Sequence, residues 1–116
     1  ETMLDAITAL SGSGPAYFFL MIESMTNAGI ALGLEKEMAE TLSIQTALGA
    51  STMAKGGDDT VRELRAKVTS KNGTTQAAIE SFQDQNFEAV VSQAMRAAFE
   101  RAREMGFELG DDERQD

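Results

Sequence analysis

The sequence predicts an all-α domain of five to six helices. Three observations carry that prediction. Ala, Met, Leu, Glu and Gln dominate and β-branched alternation is almost absent, a composition that favours helix. Apolar residues recur at spacings of three and four, the helical period. Gly, Asn and Thr punctuate the chain where helices start and stop. A chain of 116 residues that is 42% hydrophobic suits a single core. The helical domain is expected over residues 1–110, and the nearly all-charged segment 111–116 is expected to lack structure.

The opening helix covers residues 1–10, with Met3, Leu4, Ile7 and Leu10 on one stripe. Ser11-Gly12-Ser13-Gly14-Pro15 interrupts it. Pro15 suits the first position of the next helix, with Ser13 or Gly14 as its cap. That helix is expected to run to about Ala31. Its first turns, Ala16 to Ile22, are apolar on every side and so require burial on every side. In a domain this small, such burial points to a second subunit. Gly33 is placed as the left-handed residue beyond the helix end.

The third helix is expected over Lys36 to Ala54. It carries a patch of small residues, Ala47, Gly49, Ala50 and Ser51, and Gly56-Gly57 stops it. Thr60 and Glu63 have capping-box spacing in front of a short helix over 61–68. A turn at Asn72 and Gly73 leads to a helix over 74–82. Residues 83–86 form the next turn, with Asn86 as N-cap. The last helix runs from Phe87 to Met105 and Gly106 closes it. The seven Met residues fall at helical spacing and read as core filler.

Charge and composition then narrow the function. A net charge of −9 argues against nucleic acid, which needs a basic face, and against an anionic membrane surface. With neither Cys nor His, the chain has no disulfide, and no thiolate or imidazole for zinc or for a nucleophile–histidine pair. No metal site is expected. The longest apolar run, 16–22, is too short to span a bilayer, and a cytoplasmic location is expected. The chain opens at Glu1 rather than Met and reads as a piece of a longer protein.

Few residues invite chemistry. Glu35 with Glu37, and Asp58 with Asp59, flank helix starts and suit dipole and capping roles better than acid–base work. Tyr17, the only phenol, lies in the most apolar run and suits packing with one satisfied hydroxyl. Ser11-Gly12-Ser13-Gly14 has the glycines of a phosphate loop but neither its Lys-Ser/Thr nor a preceding strand. A tight helix–helix corner serves equally. The most suggestive stretch is Thr69 to Ile79. Ser70, Asn72, Gly73, Thr74 and Thr75 turn the chain into a helix N-terminus, where free N–H groups and the helix dipole attract an anion. The same residues also suit an ordinary helix cap, the commoner use of such a pattern.

Two spaced motifs meet a known family. Thr8-Ala9-Leu10-Ser11-Gly12-Ser13-Gly14-Pro15-Ala16-Tyr17 resembles the helix-opening signature of pyrroline-5-carboxylate reductase. Val68-Thr69-Ser70-Lys71-Asn72-Gly73-Thr74-Thr75, followed by Ala77-Ala78-Ile79, resembles its second signature. Ala28-Gly29, Gly33-Leu34 and Gln45 to Ala50 are similar too. The resemblance covers residues 2 to about 105. It implies the intertwined, all-helical dimerisation domain that follows an N-terminal Rossmann domain, the latter absent from this chain.

On that resemblance the function is the C-terminal part of an enzyme that reduces a cyclic imino acid to L-proline with NADPH or NADH. The cofactor would be bound mainly by the absent domain. Ser70, Gly73 and Thr74 would hold the substrate carboxylate, and the Thr75 hydroxyl would bond the ring nitrogen as the catalytic group. The partner implied is a second copy, as a homodimer or a larger homo-oligomer, and the isolated chain is expected to be inactive. At one place the chain departs from the pattern: the family usually has Pro-Gly after the serine, and here Lys71-Asn72 stands. Two alternatives are a non-catalytic helical dimerisation module and the helical domain of another two-domain NAD(P)-dependent dehydrogenase.

Overall fold

The computed structural model describes the backbone of residues 1–115 and the side chains of residues 1–106. Its elements are α1 (Thr2–Ile7), a π-helical turn (Thr8–Gly12), α2 (Gly14–Ala31), α3 (Lys36–Gly56), α4 (Val61–Lys67), α5 (Thr74–Asp84) and α6 (Phe87–Gln115). Among the described residues there is no strand. The all-α expectation therefore holds, with six α-helices.

The first correction concerns residues 8–14. Instead of an interruption, the chain widens into a π-turn, closed by the Ser13 N–H donating to the Thr8 carbonyl at 2.8 Å. Thr8 and Ser11 donate their hydroxyls to the carbonyls of Leu4 and Ile7, at 2.9 and 3.1 Å. Hydroxyls bonded back in this way loosen a helix and bend it. Pro15 then lacks the N–H that would continue an unbroken ladder. Helix α2 begins at Gly14, one residue earlier than expected.

Two groups of elements pack, each around small residues. In the first, residues 1–18 and 85–116, the π-turn and α1 rest on α6. Ala9 is buried there, and the Tyr17 hydroxyl donates to its carbonyl at 2.6 Å, the single satisfied bond expected of this phenol. In the second, residues 19–84, α2 and α3 cross at Gly29. A Cβ on Gly29 would lie 3.4 Å from Ala39 Cβ and 3.3 Å from Leu34 Cδ1. Thr26, Ala39 and Ser43 are buried in these two helices. The end of α2 is a Schellman motif: Gly33 has φ +111, its N–H donates to the Ile30 carbonyl, and the Leu34 N–H donates to the Gly29 carbonyl.

The capping box is present in full. The Thr60 N–H donates to Glu63 Oε1 at 3.0 Å and the Glu63 N–H donates to Thr60 Oγ1 at 3.1 Å. The bond from the Thr60 N–H, and after it the Thr60 hydroxyl, hold the Glu63 carboxyl below the usual glutamate range. Asn86 does accept the first bond of α6, from the Val90 N–H. Its φ of +59 is left-handed, however, because it also turns the chain out of α5. Gly106 does not end α6; one mid-helix Gly costs only about 1 kcal/mol. The expectation that 111–116 lack structure is not met at 111–115, where the backbone continues α6; residue 116 lies outside the described residues.

The methionine expectation does not hold within one chain. Met3 is 75% exposed, and Met25, Met38, Met53 and Met105 are exposed as well. The apolar turns of α2 behave alike, with Phe18, Phe19 and Leu20 each more than three-fifths exposed. Among the described residues no large side chain is fully buried. These helices cross through small residues, so their larger side chains have no second layer in the same chain to cover them.

Candidate functional site

The loop between α4 and α5 is built by four local constraints. The Thr69 hydroxyl donates to the Arg65 carbonyl at 2.6 Å, fastening the loop to the end of α4. The Gly73 N–H donates to the Ser70 carbonyl at 3.1 Å, closing a four-residue turn. Asn72, the third residue of that turn, has φ +61. This is the left-handed conformation that a type II turn requires there and that Asn tolerates. Finally, the Asn72 N–H donates to Gln76 Oε1, tying the turn to the first turn of α5.

Gly73 is required by space. Its φ lies outside the left-handed region, but a Cβ there would collide with the Ser70 hydroxyl and lie 3.2 Å from the Ser70 carbonyl oxygen. The bare α-carbon lets Ser70 fold back over the start of α5. Ser70 and Thr74 are exposed, and Gly73 and Thr75 are half-buried. All four predicted residues thus lie within one turn and one helix start.

The cap alternative can be tested directly on this geometry. Among the described residues, neither Ser70, Thr74 nor Thr75 donates or accepts a capping hydrogen bond. Gly73 holds the N-cap place and has no side chain to offer, while its carbonyl accepts the Ala77 N–H at 3.2 Å. Helix α5 therefore opens with donors unspent, and the hydroxyls of Ser70, Thr74 and Thr75 lie within the same few residues. Unspent N–H donors at a helix start favour negative charge.

Charge is concentrated beside it. Arg62, Arg65, Lys67 and Lys71 make up four of the ten basic residues within one short segment of an acidic chain. Lys67 is paired with Asp59. Arg62, Arg65 and Lys71 make no ion pair among the described residues. Sequence reasoning missed a groove of about 350 Å³ between α4 and α5. Arg62, Arg65 and Thr69 line one wall, and Gln76, Ile79, Glu80 and Gln83 line the other. The three- and four-residue spacings within each set were the available signal. The four predicted site residues do not line the groove; Thr69 and Gln76 lie on either side of them in the chain.

Comparison with known proteins follows this geometry. The family model for pyrroline-5-carboxylate reductase dimerisation matches residues 1–105. The chain belongs to this family. A pyrroline-5-carboxylate reductase from Pseudomonas aeruginosa is 56% identical over 110 residues, which is 95% of this chain and 40% of that protein. The one from Arabidopsis thaliana is 45% identical, over 90% of this chain and 38% of that protein. The solved Plasmodium falciparum pyrroline carboxylate reductase, with NADP bound, superposes with a TM-score of 0.88 at 38% identity over 91% of this chain and 40% of that one. The Coxiella burnetii pyrroline-5-carboxylate reductase gives 0.87 at 46% identity, over 90% and 38%. The reductase-family chain thus spans about two-fifths of the length of the relatives it matches.

Proposed function

We propose that this chain is the dimerisation and substrate-carboxylate portion of an NAD(P)H-dependent pyrroline-5-carboxylate reductase that makes L-proline. The observation that carries the proposal is the open N-terminus of α5, uncapped and ringed by Ser70, Thr74 and Thr75, in a chain that matches the reductase dimerisation family over residues 1–105.

In this reading the substrate carboxylate sits against the free N–H groups of Thr74 and Thr75 and the Ser70 hydroxyl. Gly73 contributes differently from expectation. Its N–H is already spent on the Ser70 carbonyl, so it supplies clearance and turn geometry. The Thr75 hydroxyl bonds the ring nitrogen and orients the C=N bond. A nicotinamide cofactor, bound mainly by a Rossmann domain outside this chain, supplies the hydride. The hydride goes to the imine carbon and a proton to the nitrogen, giving the saturated ring. Most of the rate gain in this scheme comes from positioning and from preorganised donors.

A second copy of the chain is the proposed partner. The exposed Phe18, Phe19, Leu20 and Met residues are what such a partner would cover. Among the described residues no helix is long and apolar enough to cross a membrane.

The test is reduction of pyrroline-5-carboxylate by the full-length protein, followed as NADPH or NADH consumption. The proposal expects turnover, and a loss of roughly 10²-fold in Thr75→Ala with assembly unchanged. Unchanged turnover in Thr75→Ala would favour a dimerisation module whose loop does no chemistry. Turnover of 2-hydroxy acids instead of the cyclic imine would favour another dehydrogenase.

A further inference from the structure

We infer that Lys71 is a substrate-affinity determinant, drawing the anionic substrate to the open end of α5. This rests on the reductase reading above and deepens it by assigning a residue outside the proposed contact set. Three observations support it. Lys71 is the second residue of the Ser70–Gly73 turn, and with Asn72 left-handed at the third place, this is the position where Pro best preorganises a type II turn. The chain carries a cation there instead of that rigidity. Lys71 is also exposed, and among the described residues no carboxylate neutralises it. Lastly, it stands three residues before Thr74, where the unspent donors of α5 begin, on a chain of net charge −9, which would otherwise repel a carboxylate.

Arg62 and Arg65, which also make no ion pair among the described residues, line the groove between α4 and α5 opposite Glu80. Lys71 itself raises the local concentration of the anion at the open end of α5 without entering the chemical step. The effect should be largest in dilute salt, where the field of an exposed charge reaches furthest.

The experiment is steady-state kinetics of the full-length protein with Lys71→Gln and Lys71→Pro, at low and high ionic strength. Lys71→Pro removes the charge while favouring the turn, so a shared result separates charge from loop geometry. Both variants are expected to raise KM for the cyclic imino acid roughly threefold in dilute buffer with kcat unchanged, the scale of one screened charge at the surface. The difference should vanish in concentrated salt, and Lys71→Arg should restore the original KM. Lys55→Gln, an equal charge change at the end of α3, should leave KM as it was. An unchanged KM in active Lys71→Gln overturns the inference alone, and so does a KM rise that salt does not diminish. No reductase activity in the unsubstituted protein overturns both the reductase reading and the inference.

Discussion

Replacing Gly73 by Ala tests the loop geometry most sharply, because two effects of opposite sign are separable there. The backbone of Gly73 lies outside the left-handed region, so Ala can adopt it. Restricting the unfolded chain should then stabilise by about 0.4–1 kcal/mol. Against this, the new methyl would collide with the Ser70 hydroxyl and lie 3.2 Å from the Ser70 carbonyl oxygen. Overpacking of this kind costs about 1–3 kcal/mol, and the net expectation is a loss of about 1 kcal/mol. Deleting the hydroxyl removes the worse of the two contacts. In the Ser70→Ala background, Gly73→Ala should therefore be neutral or mildly stabilising. The sign change is a coupling energy that a double-mutant cycle measures by denaturant unfolding. Activity should not recover with stability: both single variants and the pair should raise KM for the cyclic imine, since each disturbs the Ser70 hydroxyl. Additive stability effects would refute the proposed clash. A normal KM in all three variants would refute the placement of the carboxylate.

Other expectations follow from the same geometry. Gly33→Ala should cost about 1–2 kcal/mol in thermal unfolding, because φ +111 strains any side chain even where the space is open. At Gly29, Ala should be nearly neutral, its helix gain of about 1 kcal/mol offsetting tight contacts with Leu34 and Ala39. Val at the same position should destabilise by about 2 kcal/mol through overpacking. Thr60→Ala should cost about 1 kcal/mol as a lost N-cap. The lowered Glu63 pKa means its contribution is present above the usual glutamate pKa and fades as pH falls through the lower folded value. Glu63→Gln should flatten that acid limb in pH-dependent unfolding, whereas Thr60→Ala, which keeps the backbone N–H that lowers the pKa most, should leave much of it in place. Phe19→Glu should abolish dimers, read by sedimentation, because it places charge on a face that a partner must cover.

Local chemistry was the legible part of the sequence. The Gly33 terminus, the Thr60–Glu63 box and the turn at Asn72 and Gly73 each follow from a rule acting over a few residues, and the structure has all three. The π-turn at residues 8–12 was not legible, since its cause is several weak preferences acting together, the hydroxyls of Thr8 and Ser11 and the missing N–H at Pro15. Burial was misread for a different reason. Hydrophobic periodicity shows which face of a helix avoids water but not which chain covers it, so five of the seven Met side chains read as core are exposed here. The residues of the candidate site were legible because they form one continuous stretch. The groove between α4 and α5 was not, because its two walls come from separate helices. Gly73 shows the limit of motif reasoning: its presence was expected, yet its N–H is engaged within the turn.

The central claim is that the Thr75 hydroxyl acts on the substrate, and kcat of the full-length protein with Thr75→Ser and Thr75→Val measures this directly. Serine keeps the hydroxyl, whereas valine keeps the shape and the half-buried packing without it. The account predicts that Thr75→Ser stays within about fivefold of the original kcat while Thr75→Val falls roughly 10²-fold, with equal assembly by sedimentation. Equal kcat values for the serine and valine variants would contradict it.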